Sequence, residues 1–218
     1  MILLQRIAVM NLENAMRGAR NPLNSWARSD SYYDEHHQYV LGPQDRALAQ
    51  RLCRAGSDHR KFIRQIFVSM DITAPLYWWK EFDTYKVATV ANSTSTMHKI
   101  HASPFSFDDF SCDHMTAQTR EQMGHVIAYL EQLRQAYVET KDKKYWYDMI
   151  QFLPSSYQQM RTVTMNYETL RNIYHARKNH KLEEWHEMCR VIEQLPYADL
   201  MITDTEASIN QNNQRRSN

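Results

Sequence analysis

The sequence is poor in glycine. Its 218 residues include only four glycines, at positions 18, 42, 56 and 124. No two of them lie close enough to form a GxGxxG segment or a P-loop. Any phosphate must therefore be held by side chains or by a helix N-terminus, because no glycine cradle is present.

Cysteine, net charge and long apolar runs are also scarce. Cys53, Cys112 and Cys189 are odd in number and far apart, which argues against a disulfide framework and for a reducing compartment. The formal charge of +1 gives no global field that attracts nucleic acid or an anionic membrane. No run of 18 apolar residues occurs, and the N-terminal MILLQRIAVM is interrupted too early for a signal peptide. We therefore expect a cytoplasmic protein without a membrane span.

The length favours one domain. A chain that is 43% hydrophobic can bury a substantial core, so we expect a single domain over residues 1–200. The remaining residues, 201–218, are expected to be a disordered tail, because ASINQNNQRRSN is polar and lacks large apolar groups.

The apolar spacing predicts a mainly helical chain with at least one strand. The strand is VSMDITAP, where Val68, Met70 and Ile72 alternate before a proline. Helices are predicted over 45–55, over DHRKFIRQIF, from Thr116 to about residue 137, over 156–177, and over KLEEWHEMCRVIEQL.

The segment between residues 11 and 44 combines one short helix with turn residues and a charged loop. In that loop, His36 and His37 follow Asp34 and Glu35, which raises the question of a metal site. Adjacent histidines in a loop can point apart, and no ligand pair at helical spacing supports them. We interpret the segment as a solvated loop and expect no metal.

The stretch YKVATVANSTSTMH, residues 85–98, is rich in small hydroxyl and amide side chains and follows an aromatic run. Such side chains bury little apolar surface. They form either a solvated turn or a lining that hydrogen-bonds a ligand.

The order of these motifs resembles that of the flavin-dependent thymidylate synthases, the ThyX family. In that family a strand and a proline lead into an aromatic segment and a signature RHRxxSxNExSxR(Y). Asn92 falls at the signature's Asn, Ser95 at its second Ser and His98 at its trailing Tyr. The later landmarks stand in the family's order over roughly residues 60–195: Leu153, Pro154, Ser156, Tyr157, Asn166, Leu170 and Arg177.

The resemblance implies an α+β fold, predominantly helical, in which a small sheet carries long helices. It also implies a homotetramer with sites between subunits, a pyrimidine nucleotide and FAD. Within that site, Ser95 and Arg177 would orient the nucleotide, with Asn92 in its lining and Lys86 at the phosphate. Asn166 would contact the flavin, with His98 as a further cofactor residue.

The signature's RHR triplet is replaced here by Tyr85, Lys86 and Val87, and its Glu by Ser93. A single lysine cannot reproduce the bidentate clamp of a guanidinium. The replacement therefore counts against FAD and against the methylation chemistry.

Each candidate also has a purely structural interpretation. Asn92 and Ser95 are three residues apart and would face the same side of a helix or turn, as capping or turn residues do. Arg177 would stabilise a helix end, and Asn166 would lie within a helix. The segment RNIYHARKNHK, residues 171–181, is either a solvated helix face or an anion site. The tryptophans at positions 78, 79, 146 and 185 are more typical of a core or a subunit interface than of a base-stacking platform.

Three functions remain open on the sequence alone. The first is a diverged flavin-dependent enzyme acting on a pyrimidine nucleotide. The second is a nucleotide-binding or sequestering module that has lost the flavin chemistry. The third is a structural oligomer without a ligand.

Overall fold

The computed structural model describes residues 1–203 and has an α+β fold. The strands are β1 (Leu3–Met10), β2 (Tyr32–Tyr33), β3 (Tyr39–Val40), β4 (Phe67–Pro75), β5 (Val90–Ser93) and β6 (Gln158–Asn166). The α-helices are α1 (Leu12–Arg20), α2 (Pro43–Arg54), α3 (Leu76–Phe82), α4 (Thr96–Lys99), α5 (Ala117–Thr140), α6 (Lys143–Phe152), α7 (Tyr167–Arg177), α8 (Glu183–Gln194) and α9 (Asp199–Ile202). Short 3₁₀ helices cover Asn21–Leu23, Trp26–Arg28, Arg60–Gln65 and Phe107–Asp109.

The strands form a four-stranded sheet and a separate hairpin. The order in the larger sheet is β1, β4, β6, β5. The hairpin pairs β2 with β3 in antiparallel register, Tyr32 opposite Val40 and Tyr33 opposite Tyr39. The expected small sheet with long helices is thereby confirmed.

The chain divides into two compact units. The first comprises Met1–Gln5, Asp71–Lys86 and Ala91–Val163. One apolar cluster of this unit lies between the long helix α5 and its neighbour α6, with Met123, Ile127, Leu130 and Met149 buried. Helix α5 has Thr116 as its N-cap, and the Thr116 side chain accepts a hydrogen bond from the Thr119 amide.

The second unit comprises Arg6–Met70, Val87–Val90 and the chain from Thr164 onward. Here α1 packs on the Arg60–Gln65 helix, and α7 packs on α8 and α9. Met16, Ile63, Leu170 and Trp185 are fully or almost fully buried in this unit. The buried stripe of α8 follows helical spacing, which is how the sequence indicated that helix.

Several predicted elements are found close to their expected bounds. The strand is β4, the 45–55 helix is α2, the helix after Thr116 is α5, and the last predicted helix is α8. DHRKFIRQIF, by contrast, forms a 3₁₀ helix over Arg60–Gln65 instead of an α-helix.

The predicted helix over 156–177 is wrong in its first half. Residues Gln158–Asn166 form β6, and only Tyr167–Arg177 are helical. Val163 and Met165 are fully buried and alternate with Thr162 and Thr164, which is the pattern of a strand. The helical spacing read across this segment joined apolar residues that belong to two different elements.

Within residues 1–203, none of the helices is both long and apolar enough to cross a membrane. Met201 and Ile202 belong to α9, and Met201 is buried. The rest of the expected tail, from residue 204, lies outside the described residues.

Candidate functional site

A pocket of about 540 Å³ lies in the second unit, at the C-terminal end of α1. We call it the basic pocket and define it by the basic side chains Arg51, His59 and Lys61 and the apolar side chains Leu48, Leu52 and Phe62. Its volume falls within the range of ligand sites, roughly 300–1,000 Å³. It has both an apolar wall and a charged rim.

The apolar wall comes from α2 and from the 3₁₀ helix Arg60–Gln65. Leu48 and Leu52 lie four residues apart on α2 and so share one helix face. Phe62 is 5% exposed and anchors the 3₁₀ helix in the core. Gly56 makes the sharp connection between the two elements, since its φ of 112° is one that side chains rarely adopt.

The position of the 3₁₀ helix is fixed by contacts to α7. Arg60 donates two parallel hydrogen bonds to the Glu168 carboxylate, both at 2.9 Å. The Asn166 amide donates to the Arg64 carbonyl at 3.0 Å, and the Tyr167 amide donates to the Ile66 carbonyl at 3.0 Å. Because both ends of this short helix are held, His59 and Lys61 project from a preorganised backbone.

The charge of the basic pocket favours an anion. Arg51, His59 and Lys61 are exposed at its rim together with a single carboxylate, that of Asp58. Within residues 1–203, neither Arg51 nor Lys61 forms a salt bridge with a carboxylate. An excess of basic side chains next to an apolar wall suits a ligand with a phosphate at one end and a ring at the other.

The residues predicted from YKVATVANSTSTMH fall in the first unit, on separate elements. Asn92 is an exposed residue of β5. Ser95 is the N-cap of α4, and its hydroxyl accepts a hydrogen bond from the His98 amide at 3.1 Å. The structural interpretation as a capping residue therefore holds for Ser95, whereas Asn92 lies in a strand that ends before Ser95. Lys86 and His98 are both exposed.

A basic side chain that the sequence reading missed lies beside this segment. Arg161 lies over the Trp79 ring at 4.1 Å and donates to Asp83 at 2.7 Å. Strand β6 carries it next to β5, where the Thr94 amide donates to the Met160 carbonyl at 2.9 Å. Its ion pair with Asp83 gives Arg161 a structural role in holding α3 against β6.

Asn166 has a different position from the expected one. It is the last residue of β6 and the N-cap of α7, not a residue within a helix. Its carbonyl oxygen accepts hydrogen bonds from the Thr169 amide at 2.9 Å and the Thr169 hydroxyl at 3.1 Å. Together with the bond to Arg64, these contacts give the amide a structural role.

Arg177 lies in the last turn of α7, as the sequence indicated, and in the same unit as Asn166. Its guanidinium lies 4.6 Å from the centre of the Trp185 ring. This cation–π contact joins α7 to α8 and adds to the favourable position of a cation at a helix C-terminus.

The sequence reading did not single out the residues of the basic pocket. The feature of the sequence that could have indicated this pocket is the run DHRK after Gly56 and Ser57. It places charged residues directly before Phe62, a buried aromatic residue. For metal ions, the part of the chain up to Thr203 contains no group of three His, Cys, Asp or Glu side chains that could act as ligands.

The chain matches no protein-family model and no curated protein. It is similar in structure to thymidylate synthase X (ThyX) from Helicobacter pylori with FAD and dUMP, with a TM-score of 0.69 and 16% identity, covering 93% of this chain and 100% of that one. A second structure of the flavin-dependent thymidylate synthase ThyX from Helicobacter pylori, complexed with FAD and dUMP, gives a TM-score of 0.65 and 15% identity, covering 94% and 99%. At these identities the likeness shows the fold alone, and the expected ThyX-like fold is confirmed.

Proposed function

We propose that this protein binds a pyrimidine nucleotide and that the basic pocket receives the phosphate. The observation that carries the proposal is the placement of Arg51 and Lys61 beside the wall formed by Leu48, Leu52 and Phe62. The ThyX fold supports it, since two structures with this fold contain dUMP. A charge-assisted contact to the phosphate from each cation would supply most of the affinity.

The residues expected from the sequence form a second part of the proposal. Lys86, Asn92 and Ser95 are proposed to line a nucleotide site, and Arg177 is proposed separately as a nucleotide contact. Lys86 and Asn92 are exposed and thus accessible to a ligand. The basic-pocket residues and the residues predicted from the sequence can be tested separately, because substitutions in each set should weaken binding only if that set contacts the nucleotide.

Two observations count against the flavin contacts that the resemblance implies. The oxygen of Asn166 already accepts two hydrogen bonds, and its nitrogen donates to Arg64. Of the three residues that replace the RHR triplet, only Lys86 is a cation. The third, Val87, is 85% exposed. We therefore propose nucleotide binding without a flavin-dependent step, which favours the binding or sequestering module over the diverged enzyme.

Calorimetric titration with dUMP and with deoxyuridine tests the proposal. We expect dUMP to bind and deoxyuridine to bind at least tenfold more weakly, because the nucleoside lacks the phosphate. Arg51→Ala and Lys61→Ala should each weaken dUMP binding by about 1.5–3 kcal/mol. Arg54→Ala is the matched control, since this exposed arginine lies on the same helix but does not line the pocket.

Equal affinity of wild type, Arg51→Ala and Lys61→Ala for dUMP would rule out the basic pocket as the phosphate site. If Lys86→Ala alone weakened binding, the site would instead be the one predicted from the sequence. Absorption in the flavin bands by the purified protein would favour the diverged enzyme over the binding module.

A homotetramer is also part of the proposal, as is a cytoplasmic location. Tyr129, Tyr147 and Phe152, on α5 and α6, are each about half exposed, and exposed aromatic side chains of this size are frequent at subunit interfaces. Sedimentation at micromolar concentration should give the mass of a tetramer. A stable monomer that still binds dUMP would separate the binding function from assembly.

A further inference from the structure

A second concave site lies in the second unit, between the start of α1 and the β2–β3 hairpin. It measures about 290 Å³, and we call it the tyrosine pocket. Four aromatic side chains line it together with one acidic and two basic ones: Trp26, Tyr32, Tyr33, Tyr39, Glu13, Arg17 and Arg20. Trp26, Tyr32 and Tyr33 are 43%, 56% and 54% exposed, so their rings are available to a ligand.

The base of the tyrosine pocket is rigid. Ser29 and Ser31 each donate a hydrogen bond to Asp45 at 2.5 Å, and Arg20 donates to the same carboxylate at 2.6 Å. Between these two serines, Asp30 accepts hydrogen bonds from the amides of Gln44 and Asp45, at 2.8 and 3.0 Å. The segment that leads into the hairpin is thus tied to the start of α2.

Three of the four aromatic rings, those of Trp26, Tyr33 and Tyr39, are held by contacts to neighbouring side chains. The Tyr33 hydroxyl donates to the Glu13 carboxylate at 2.5 Å, and the Tyr33 and Tyr39 rings meet edge to face at 5.4 Å. The Trp26 indole donates to the Asn21 side chain at 2.9 Å, with the Arg17 guanidinium 5.7 Å from the ring centre. Little side-chain entropy is left to lose when a ligand enters, which favours binding.

The charges and size of the tyrosine pocket define the ligand. Arg17 and Arg20 are balanced by Glu13 and Asp45, so the pocket favours neither a free anion nor a free cation. A planar heterocycle can stack on tyrosine, tryptophan or a guanidinium plane, and its polar edge can meet a carboxylate. The volume of about 290 Å³ suits one ring system and is too small for a dinucleotide.

We infer that the tyrosine pocket binds a single nucleobase by stacking. This site is separate from the basic pocket and does not depend on a phosphate contact. The base can come from a free nucleoside or nucleotide, or from a single strand that presents one base. The recognition chemistry is the same in both cases.

Fluorine NMR of protein labelled with 5-fluorotryptophan tests this inference. The chain has five tryptophans, and the resonance that disappears in Trp26→Phe identifies Trp26. Adenosine should shift this resonance in a saturable manner. Tyr33→Ala should weaken the effect at least about fivefold because a stacking ring is lost. Tyr33→Phe, which keeps the ring and loses the bond to Glu13, should stay within about twofold of wild type.

Two further arms complete the test. Adenosine monophosphate and a short single-stranded oligodeoxyadenylate, compared at equal base concentration, show whether the base comes from a free nucleotide or from a strand. Lys61→Ala should leave the Trp26 response unchanged, so a failure of the basic pocket would not affect this result. A Trp26 resonance that no base-containing probe shifts, or an unchanged affinity in Tyr33→Ala, would overturn the inference.

Discussion

The Arg20 guanidinium donates a hydrogen bond to the Asp45 carboxylate at 2.6 Å, and the two residues are only 6% and 0% exposed. Burial alone would raise the pKa of Asp45. The hydrogen bonds from Ser29 and Ser31, together with Arg20, outweigh burial and lower the pKa below its usual value. The buried carboxylate is therefore ionised and fixes the path of the chain from α1 to α2.

Replacing Asp45 with Asn should strongly destabilise the fold. The substitution leaves the Arg20 charge buried without its partner, and breaking a buried pair in this way costs about 3–5 kcal/mol. Denaturant unfolding followed by circular dichroism measures the loss. Asp58→Asn is the control, because Asp58 is exposed and its change should stay within about 0.5 kcal/mol of wild type. Equal stabilities of the two variants would contradict this account.

Stability should also fall in acid because of Glu131 on α5. The Arg134 guanidinium is the main cause of its shift, and the amide of Phe105 and the side chain of Gln135 add to it, lowering the pKa of Glu131 to about 2. The folded-state pKa lies below the ordinary value of about 4.3. The stabilisation is therefore complete above that value and is lost as the pH falls towards 2.

Unfolding free energies of wild type and Glu131→Gln at pH 7 and pH 2.5 test this expectation. The wild type should be the more stable protein at pH 7, and the difference should shrink at pH 2.5. A difference that stays constant with pH would mean that the ion pair with Arg134 contributes nothing measurable. Glu139→Gln serves as the control, since Glu139 is an exposed residue on the same helix.

The Ser95 hydroxyl caps α4, so Ser95→Ala should cost about 0.5–2 kcal/mol of stability. Asn92→Ala removes an exposed side chain from β5 and should leave stability nearly unchanged. Thermal melting and dUMP titration of both variants distinguish a structural from a binding role. Weaker dUMP binding by Asn92→Ala without a change in melting temperature would support a nucleotide contact at this strand.

The two roles considered for Arg177, a contact with the Trp185 ring and a contact with the nucleotide, predict different effects of its substitution on stability and on dUMP affinity. Its contact with the Trp185 ring predicts a loss of about 0.5–1 kcal/mol in Arg177→Ala, with Arg177→Lys losing less. A nucleotide contact predicts, in addition, weaker dUMP binding by about 1.5–3 kcal/mol. Calorimetry on both variants decides between them. If dUMP binds all three proteins equally, Arg177 is not a nucleotide contact.

The sequence predicted those parts of the fold where one periodicity dominates. The alternation in VSMDITAP and the helical spacing after Thr116 each have a single interpretation, and β4 and α5 were correctly predicted. Residues 156–177 failed because a strand and a helix follow one another without an intervening turn, and Asn166 serves as the end of one and the cap of the other. The boundary between the strand and the helix was therefore marked by the polar residue Asn166 and not by the spacing of the apolar residues on either side.

The two pockets were harder to predict, because their residues are distant along the chain. Arg51 and Lys61 come together through the turn at Gly56, and nothing in their separate environments indicates a common site. The tyrosine pocket depends on the buried bond between Arg20 and Asp45, which are 25 residues apart. The formal net charge of +1 gave no indication of either pocket.

Anchoring at the base of the β2–β3 hairpin has a practical consequence for protein engineering. The tip, from Asp34 to Gln38, closes on itself through a hydrogen bond from the Gln38 amide to the Asp34 side chain at 2.8 Å, and His36 and His37 are exposed. Lengthening a surface loop costs only about 0.6 kcal/mol for each doubling of its length. An epitope tag or a small reporter domain inserted between His36 and His37 should therefore be accommodated, and it would report from within the chain without modifying either terminus.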